Sequence, residues 1–286
     1  MSGGRTLPAP GAGPVLPATG GGGPRPAAAG LRARPVAAGT RTPLAAAGPA
    51  GSRAAGLIGR ILPAGVTSSE AFDDAAPAPL FLSEAALMAG RRARRRHQFA
   101  TARTCARRCL SELGRSPAPL LPGPGGAPRW PQGVVGSITH CEGYRGAVAA
   151  SAGRYAALGV DAEPVGPLPK GVLGLITSPA ERVRLAELAA ADPSVPWEKV
   201  LFSAKEAVYK AWYPATGIWL GFRDATLTLF PGGTFSAVLR PPRAAPVDPV
   251  YEGRWLTADG LVLTAVARRA DARRVLPLRP PAASAG

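Results

Sequence analysis

The spacing of hydrophobic and polar positions changes several times along the chain, and each change predicts a different element. Over Ser83–Leu113 apolar residues recur every three or four positions, which predicts a helix interrupted near Gly90. Two more helices are predicted over Glu181–Ala190 and Pro196–Tyr213, and we expect Pro214 to end the second one.

Short apolar or alternating segments fill much of the remaining sequence and predict strands. These segments are Val134–Thr139, Gly146–Ser151, Tyr155–Asp161, Thr226–Phe230, Phe235–Leu239, Tyr251–Leu256 and Leu261–Ala267. We interpret Ser151–Arg154 as a hairpin turn between the second and third strands, and the last four strands as an antiparallel meander. This order of helices and strands is typical of an α+β fold.

The two ends of the chain lack such a pattern and carry much of its charge. The net charge is +16, of which residues 1–56 contribute +6 and residues 268–286 contribute +4. We predict that both ends are disordered tails, because their Gly-, Pro- and Ala-rich composition cannot offset the entropy of ordering. Within the body, eight arginines and no acid lie between Arg91 and Arg108. A basic nucleic-acid-binding protein is one interpretation, but one basic helix on a nearly neutral body favours a specific anionic ligand or an acidic protein.

Other classes are excluded by composition. No apolar run approaches the roughly eighteen residues that a membrane-spanning helix needs. Three cysteines are too few for a disulfide-dense secreted scaffold. We interpret Cys105, Cys109 and Cys141 as reduced thiols in a cytoplasmic protein.

The end of the strand at Tyr155–Asp161 carries two acids at alternating positions. This alternation puts Asp161 and Glu163 on one face of the strand. Neighbouring carboxylates repel each other and favour a hard divalent cation between them, although an exposed strand end with ordinary solvated acids has the same pattern. A metal-dependent nuclease is disfavoured, because such sites usually have a lysine where this chain has Val165.

The helix predicted over Pro196–Tyr213 carries a second group. Glu206 and Lys210 are one turn apart and project together, and the rest of the helix is mostly apolar and therefore expected to be buried. Lysine is rare in this chain, with four against thirty arginines, yet Lys199, Lys205 and Lys210 fall within twelve residues. This clustering indicates a site that needs compact ammonium groups, although an ordinary surface Glu–Lys pair has the same spacing.

A third group ends the strand over Val134–Thr139. Ser137, Thr139 and His140 lie close together there, and we interpret them as possible donors to phosphate oxygens. A single histidine is more often structural than functional, so both interpretations stay open at this point.

In this order and spacing, the three groups resemble the signature of the 4′-phosphopantetheinyl transferases. The segments that carry the resemblance are GVDAE at 159–163 and FSAKEAVYK at 202–210. The similarity extends from about Leu57 to Ala267 and is to the actinobacterial enzymes of the siderophore and polyketide synthase type. It implies transfer of 4′-phosphopantetheine from coenzyme A to a serine of an apo acyl or peptidyl carrier protein, with 3′,5′-ADP leaving.

The resemblance also implies roles for individual residues. Asp161, Glu163 and Glu206 match the Mg²⁺ ligands of the family, and Glu206 also matches a proposed base for the carrier serine. Lys210 matches a lysine that contacts the pyrophosphate and stabilises the leaving phosphate. The residues that match coenzyme A contacts are Arg95, Arg103, His140, Lys205 and Lys210.

For the fold, the resemblance implies two similar α+β halves that form a pseudo-dimer with coenzyme A between them. We place the halves at 57–150 and 151–267, between the tails at 1–56 and 268–286. We further expect a cytoplasmic monomer whose partners are coenzyme A and a carrier protein, with no binding to nucleic acid or membrane.

Overall fold

A computed structural model describes residues 56–75, 77–244 and 250–270. Its five helices are α1 (Leu82–Leu87), α2 (Ala93–Glu112), α3 (Val172–Ile176), α4 (Pro179–Ala191) and α5 (Trp197–Thr216). Its eight strands are β1 (Thr67–Ala71), β2 (Val134–Cys141), β3 (Tyr144–Ser151), β4 (Tyr155–Pro164), β5 (Ala225–Phe230), β6 (Thr234–Leu239), β7 (Val250–Ala258) and β8 (Leu261–Arg269). Most of the two predicted tails lies outside the described residues.

The strands form two antiparallel sheets, which confirms the predicted α+β fold. The first sheet has three strands in the order β1-β3-β2, and the second has five in the order β4-β8-β7-β6-β5. The four strands β5 to β8 form the predicted meander. None of the helices in the described ranges combines the length and apolarity that crossing a membrane requires.

The hairpin predicted at Ser151–Arg154 is wrong. Strand β3 pairs with β1 and β2, whereas β4 pairs with β8 in the other sheet. The turn therefore joins two sheets instead of two paired strands. Strand β1 was not predicted at all, because its sequence TSSEA has no apolar alternation and all five of its residues are only half-buried. The change of sheet falls between Ser151 and Tyr155, close to the boundary expected between the halves.

The predicted end of the long helix is also wrong, because α5 continues past Pro214 to Thr216. A proline inside a helix removes one main-chain hydrogen bond, and here the loss falls in the final turn. Gly217 then closes the helix in the left-handed conformation, with φ of 64° and its N–H donating to the carbonyl of Tyr213 at 2.8 Å.

The two sheets meet along a seam between β2 and β4, which are edge strands of their respective sheets. Side-chain hydroxyls close this seam. The N–H of Val160 donates to Oγ of Ser137 at 3.1 Å, and the N–H of Ala162 donates to Oγ1 of Thr139 at 3.0 Å. Buried edge groups that would otherwise lack partners are thereby satisfied.

Helix α5 lies directly against β4. A Cβ at Gly159 would overlap the carbonyl oxygen of Ala207, so the strand and the helix approach as closely as glycine allows. The apolar side of α5 is buried in the larger core together with the meander strands. Its residues there include Val200, Leu201, Ala204, Ala207, Val208, Ala211 and Trp212. This contact fixes the polar face of α5 relative to the end of β4.

Each half has a buried glutamate in the first turn of a helix, Glu84 in α1 and Glu181 in α4, that bonds to several partners. In the first half, Glu84 accepts from the N–H of Leu120 at 2.9 Å and from Arg107 at 3.0 Å. In the second half, Glu181 accepts from the N–H of Leu227 at 2.9 Å and pairs with Lys205 at 2.9 Å. In both cases the cation comes from the long helix of that half, so the two halves share one plan.

Candidate active site

The predicted acid pair lies at the end of β4, beside α5 and the seam. Asp161 is almost fully buried, and its Oδ1 accepts from Nζ of Lys210 at 2.7 Å and from Oγ1 of Thr139 at 3.3 Å. Its other oxygen, Oδ2, is buried without a hydrogen-bond partner among the described residues. Glu163, two residues further on, is half-buried and lies 3.5 Å from Nζ of Lys199. A buried carboxylate oxygen without a partner is costly, so this position favours a ligand.

Helix α5 adds Glu206 and Lys210 to the same site. Burial and the negative charge of Asp161 raise the pKa of Glu206 to about 7, and Lys210 only partly offsets them. Burial and the charge of Asp161 also raise the pKa of Glu163. For Lys210, burial alone would lower the pKa, but Asp161 and Glu206 outweigh it, so the pKa is raised. The positive charge near Asp161, Glu163 and Glu206 is thus too small to offset the burial and mutual repulsion of these three carboxylates.

The hydroxyls of Ser137 and Thr139 are both buried and serve the seam described above. Thr139 additionally contacts Asp161, so it helps to hold the acid in place. Both hydroxyls therefore bond to the main chain of β4, which differs from the interpretation that they donate to phosphate oxygens.

His140 lies at the end of β2 and pairs with an arginine of α2. Its Nε2 is 2.6 Å from Nη1 of Arg95, a distance that requires a neutral imidazole accepting from the guanidinium. Burial and the charge of Arg95 lower the pKa of His140. Burial, Arg91 and Arg145 similarly lower the pKa of Arg95. The positive charges of Arg91, Arg95 and Arg145 around the neutral His140 suit the binding of an anion.

Arg103 and Lys205 are not brought to these groups in the way that the resemblance implied. Nε of Arg103 donates to the carbonyl of Leu120 at 3.0 Å and lies 3.8 Å from Glu84, while its guanidinium stacks over Phe99. Burial lowers the pKa of Arg103 to about 10.

Lys205 precedes Glu206 in α5, but its ammonium bonds to Glu181 of α4 instead of to an acid of β4. Besides its bond to Glu181, it donates to the carbonyls of Phe222 and Ala225, both at 2.8 Å. Its ammonium thus has three partners within the second half.

An apolar pocket opens beside Glu206. It is lined by aromatic and aliphatic side chains of α5 and the following loop, among them Tyr209, Trp219, Leu220 and Phe222. Trp219 is 53 % exposed, and Tyr209 contacts it edge to face. The sequence analysis did not identify this pocket, because the loop folds back onto the helix only in three dimensions.

The carboxylate oxygens of Asp161, Glu163 and Glu206 are suitable ligands for a hard cation, although the three groups do not surround a common point. Carboxylate oxygens are the ligands that Mg²⁺ prefers, and the unpartnered Oδ2 of Asp161 provides one. Among the described residues, no group of three or more metal-ligating side chains is close enough together to form a completed centre. The positive charge next to Glu163 and Asp161 comes from Lys199 and Lys210.

Comparison with known proteins identifies the family of this chain. Residues 83–150 match the model of the 4′-phosphopantetheinyl transferase N-terminal domain, and residues 157–260 match that of the 4′-phosphopantetheinyl transferase superfamily. The chain is 50% identical over 228 residues to 4′-phosphopantetheinyl transferase Svp of Streptomyces mobaraensis, covering 76% of this chain and 91% of the relative. The chain belongs to the 4′-phosphopantetheinyl transferase superfamily.

Two further relatives extend the comparison. The transferase is 42% identical to 4′-phosphopantetheinyl transferase Npt of Nocardia iowensis over 223 residues, 74% of this chain and 99% of the relative. It is 43% identical to 4′-phosphopantetheinyl transferase PptT of Mycobacterium tuberculosis over 222 residues, 73% of this chain and 97% of the relative. Enzymes of this family transfer 4′-phosphopantetheine from coenzyme A to carrier proteins, so the predicted family and activity are confirmed.

Proposed function

We propose that this transferase moves 4′-phosphopantetheine onto a carrier serine, in an Mg²⁺-dependent reaction, at the junction of β4, β2 and α5. The observation that carries the proposal is the position of Asp161, whose buried Oδ2 has no hydrogen-bond partner in the described part of the chain, while Glu206 and Lys210 lie beside it. A charged, metal-assisted phosphoryl transfer needs this combination of acids and ammonium.

Asp161, Glu163 and Glu206 are the residues that would hold Mg²⁺. When bound, the ion would supply positive charge to the pyrophosphate of coenzyme A. Burial, together with the charge of Asp161, raises the pKa values of Glu163 and Glu206. A cation would stabilise their ionised forms, which supports this assignment.

Glu206 and Lys210 are the groups that we assign to proton transfer and charge stabilisation. As an ionised carboxylate beside Lys210, Glu206 can accept the proton of the carrier serine hydroxyl. The raised pKa of Lys210 keeps its ammonium charged, so it can stabilise the 3′,5′-ADP phosphate as the bond to phosphorus breaks.

Arg95 and His140 form the anion site that we assign to a phosphate of coenzyme A. A neutral His140 leaves the guanidinium of Arg95 as the charged donor, and an arginine fork suits phosphate oxygens. For Arg103 and Lys205 the coenzyme A contact stays a prediction, because both side chains are engaged with buried glutamates. The apolar pocket at Tyr209 and Trp219 suits the pantetheine arm, since it opens directly beside Glu206.

The test is a transfer assay with purified protein, Mg²⁺, coenzyme A and a panel of apo acyl and peptidyl carrier proteins. We expect a carrier to gain the mass of one phosphopantetheine, and the gain to disappear when EDTA is added. No gain on any carrier would refute the activity, and transfer that persists in EDTA would refute the role of the metal.

We further propose that the enzyme is a monomer, works in the cytoplasm and does not bind nucleic acid. The buried, unpaired Cys105 and Cys109 suit a reducing compartment. Light scattering of the eluting protein should give the mass of one chain. Titration with duplex DNA at low salt should show no binding, and tight, steeply salt-dependent binding would contradict the proposal.

A further inference from the structure

Three of the four lysines of this chain lie in α5, and each pairs with a different acid. Lys199 is 3.5 Å from Glu163, Lys205 is 2.9 Å from Glu181, and Lys210 is 2.7 Å from Asp161. The middle pair is structural, as described above. The outer two pairs join α5 to the two acids of β4.

Lys199 and Lys210 belong to the same face of the helix as Glu206. Their positions differ from that of Glu206 by seven and four residues, which is the spacing of one helix stripe. The stripe faces the end of β4, so each strand acid meets a lysine from one end of it. Glu206 lies between the two ammonium groups along the helix.

Lys199 is not a loosely held surface residue. It is only 9% exposed, and it lines a pocket at α4 and α5 together with apolar residues, including Val195 and Trp197. An ammonium in such a position requires a counter-charge nearby, and Glu163 is the acid that supplies it. The charges of Asp161, Glu163 and Glu206 are then offset by two lysines, which leaves a net charge of about −1 at the site.

A cation that uses Glu163 must displace this ammonium. We propose that Lys199 is a positioning residue that acts through Glu163, as an internal counter-ion that competes with the divalent cation for this carboxylate. The inference rests on the metal assignment proposed above and adds a residue that this assignment does not include.

Such competition links loading of the metal to the arrival of coenzyme A. In the free enzyme, Lys199 keeps the two strand acids from repelling each other and weakens the binding of a cation. The phosphates of coenzyme A attract ammonium groups, so their arrival draws positive charge away from the acids and strengthens cation binding. The coupling is reciprocal, so the cation strengthens the binding of coenzyme A by the same factor.

The experiment measures Mn²⁺ binding to the purified full chain by titration followed with electron paramagnetic resonance, with and without coenzyme A. Mn²⁺ is a suitable probe because it shares the oxygen ligands of Mg²⁺. The neutral variants are Lys199→Gln and Lys199→Met, the second of which keeps the apolar stem. Lys199→Arg keeps the charge, and Lys170→Gln makes the same charge change at an exposed lysine between β4 and α3. Circular dichroism identifies which of the two neutral variants is folded.

In the absence of coenzyme A, we expect the neutral variants to bind Mn²⁺ with a Kd about tenfold lower than the wild type. We expect Lys199→Arg and Lys170→Gln to match the wild type, and coenzyme A to tighten Mn²⁺ binding less in the neutral variants. An unchanged or higher Kd in a folded neutral variant would overturn the role of Lys199 and leave the metal site intact. Absence of Mn²⁺ binding in every protein, wild type included, would overturn both the metal assignment and this inference.

Discussion

Replacing Lys205 with methionine should destabilise the fold far more than it alters the chemistry. Its ammonium bonds to Glu181 at 2.9 Å and to the carbonyls of Phe222 and Ala225 at 2.8 Å. Methionine fills similar space but donates nothing, so Glu181 would keep its charge with less compensation in a buried position. This separates a structural role for Lys205 from the coenzyme A contact that the family resemblance implies.

The magnitude follows from the burial of the pair. The side chains of Lys205 and Glu181 are 1% and 3% exposed, and removing one partner of such a pair costs about 3–5 kcal/mol. With a urea m-value of about 3 kcal/mol/M, the unfolding midpoint should fall by roughly 1–1.7 M. Adding Glu181→Gln removes the uncompensated charge, so the double variant should lose less than the sum of the two single losses.

Urea unfolding followed by circular dichroism gives the midpoints, and the KM for coenzyme A is measured on the folded protein. Lys170→Met is the matched control, and at this exposed position the loss should stay within about 0.5 kcal/mol. A midpoint within 0.3 M (about 1 kcal/mol) of the wild type would refute the structural role. Unchanged stability with a much higher KM would instead identify Lys205 as a coenzyme A contact.

Three further predictions concern the site and its surroundings. Asp161→Asn should reduce transfer on the order of a thousandfold while a folded circular dichroism spectrum is retained, and near-normal turnover would contradict the role of the β4 acids. Gly159→Ala should cost about 1–3 kcal/mol in urea unfolding and slow transfer, because the new Cβ meets the carbonyl of Ala207 and pushes α5 away from β4; an equally stable variant would show that the contact is loose. Burial raises the pKa of Cys109 to about 12, and burial with the charges of Glu163 and Asp161 raises the pKa of Cys141 to about 12. A thiol reagent at pH 8 should therefore react at least about a hundredfold more slowly with the native protein than with the urea-unfolded chain. Fast labelling of the native protein would contradict this.

The elements that were predicted correctly are those whose signals are local. The helix that became α5 and the strand that became β4 show in the spacing of their apolar residues, and that spacing also placed Glu206 with Lys210 and Asp161 with Glu163. The meander was predictable for the same reason, since its strands are neighbours in sequence and each half-buried strand alternates.

The features that were missed depend on partners far away in sequence. The turn at Ser151–Arg154 has the form of a hairpin, but pairing is decided by β1 and β8, which lie more than eighty residues from it in opposite directions. The pairing of Arg103 with Glu84 and of Lys205 with Glu181 was likewise hidden, because a basic residue in a helix gives no local sign of which distant acid it faces. Their contact with coenzyme A stays a prediction. Lys199 was recognised as part of a lysine cluster, but its pairing with Glu163 required the packing of α5 on β4.

The position of the acids at a seam between two sheets has a consequence for how the two halves work together. Strand β4 is an edge strand, and the N–H groups of Val160 and Ala162 on either side of Asp161 are satisfied by hydroxyls of β2 in the other half. Thr139 of β2 also donates to Asp161 itself, and His140 follows it in the same strand. The first half therefore fixes the main chain that carries Asp161 and contributes His140, for which we propose anion binding, while the second half supplies the acids and α5. Separating the halves would leave this edge of β4 without its hydroxyl partners and Asp161 without its threonine, so we expect neither half alone to catalyse the transfer.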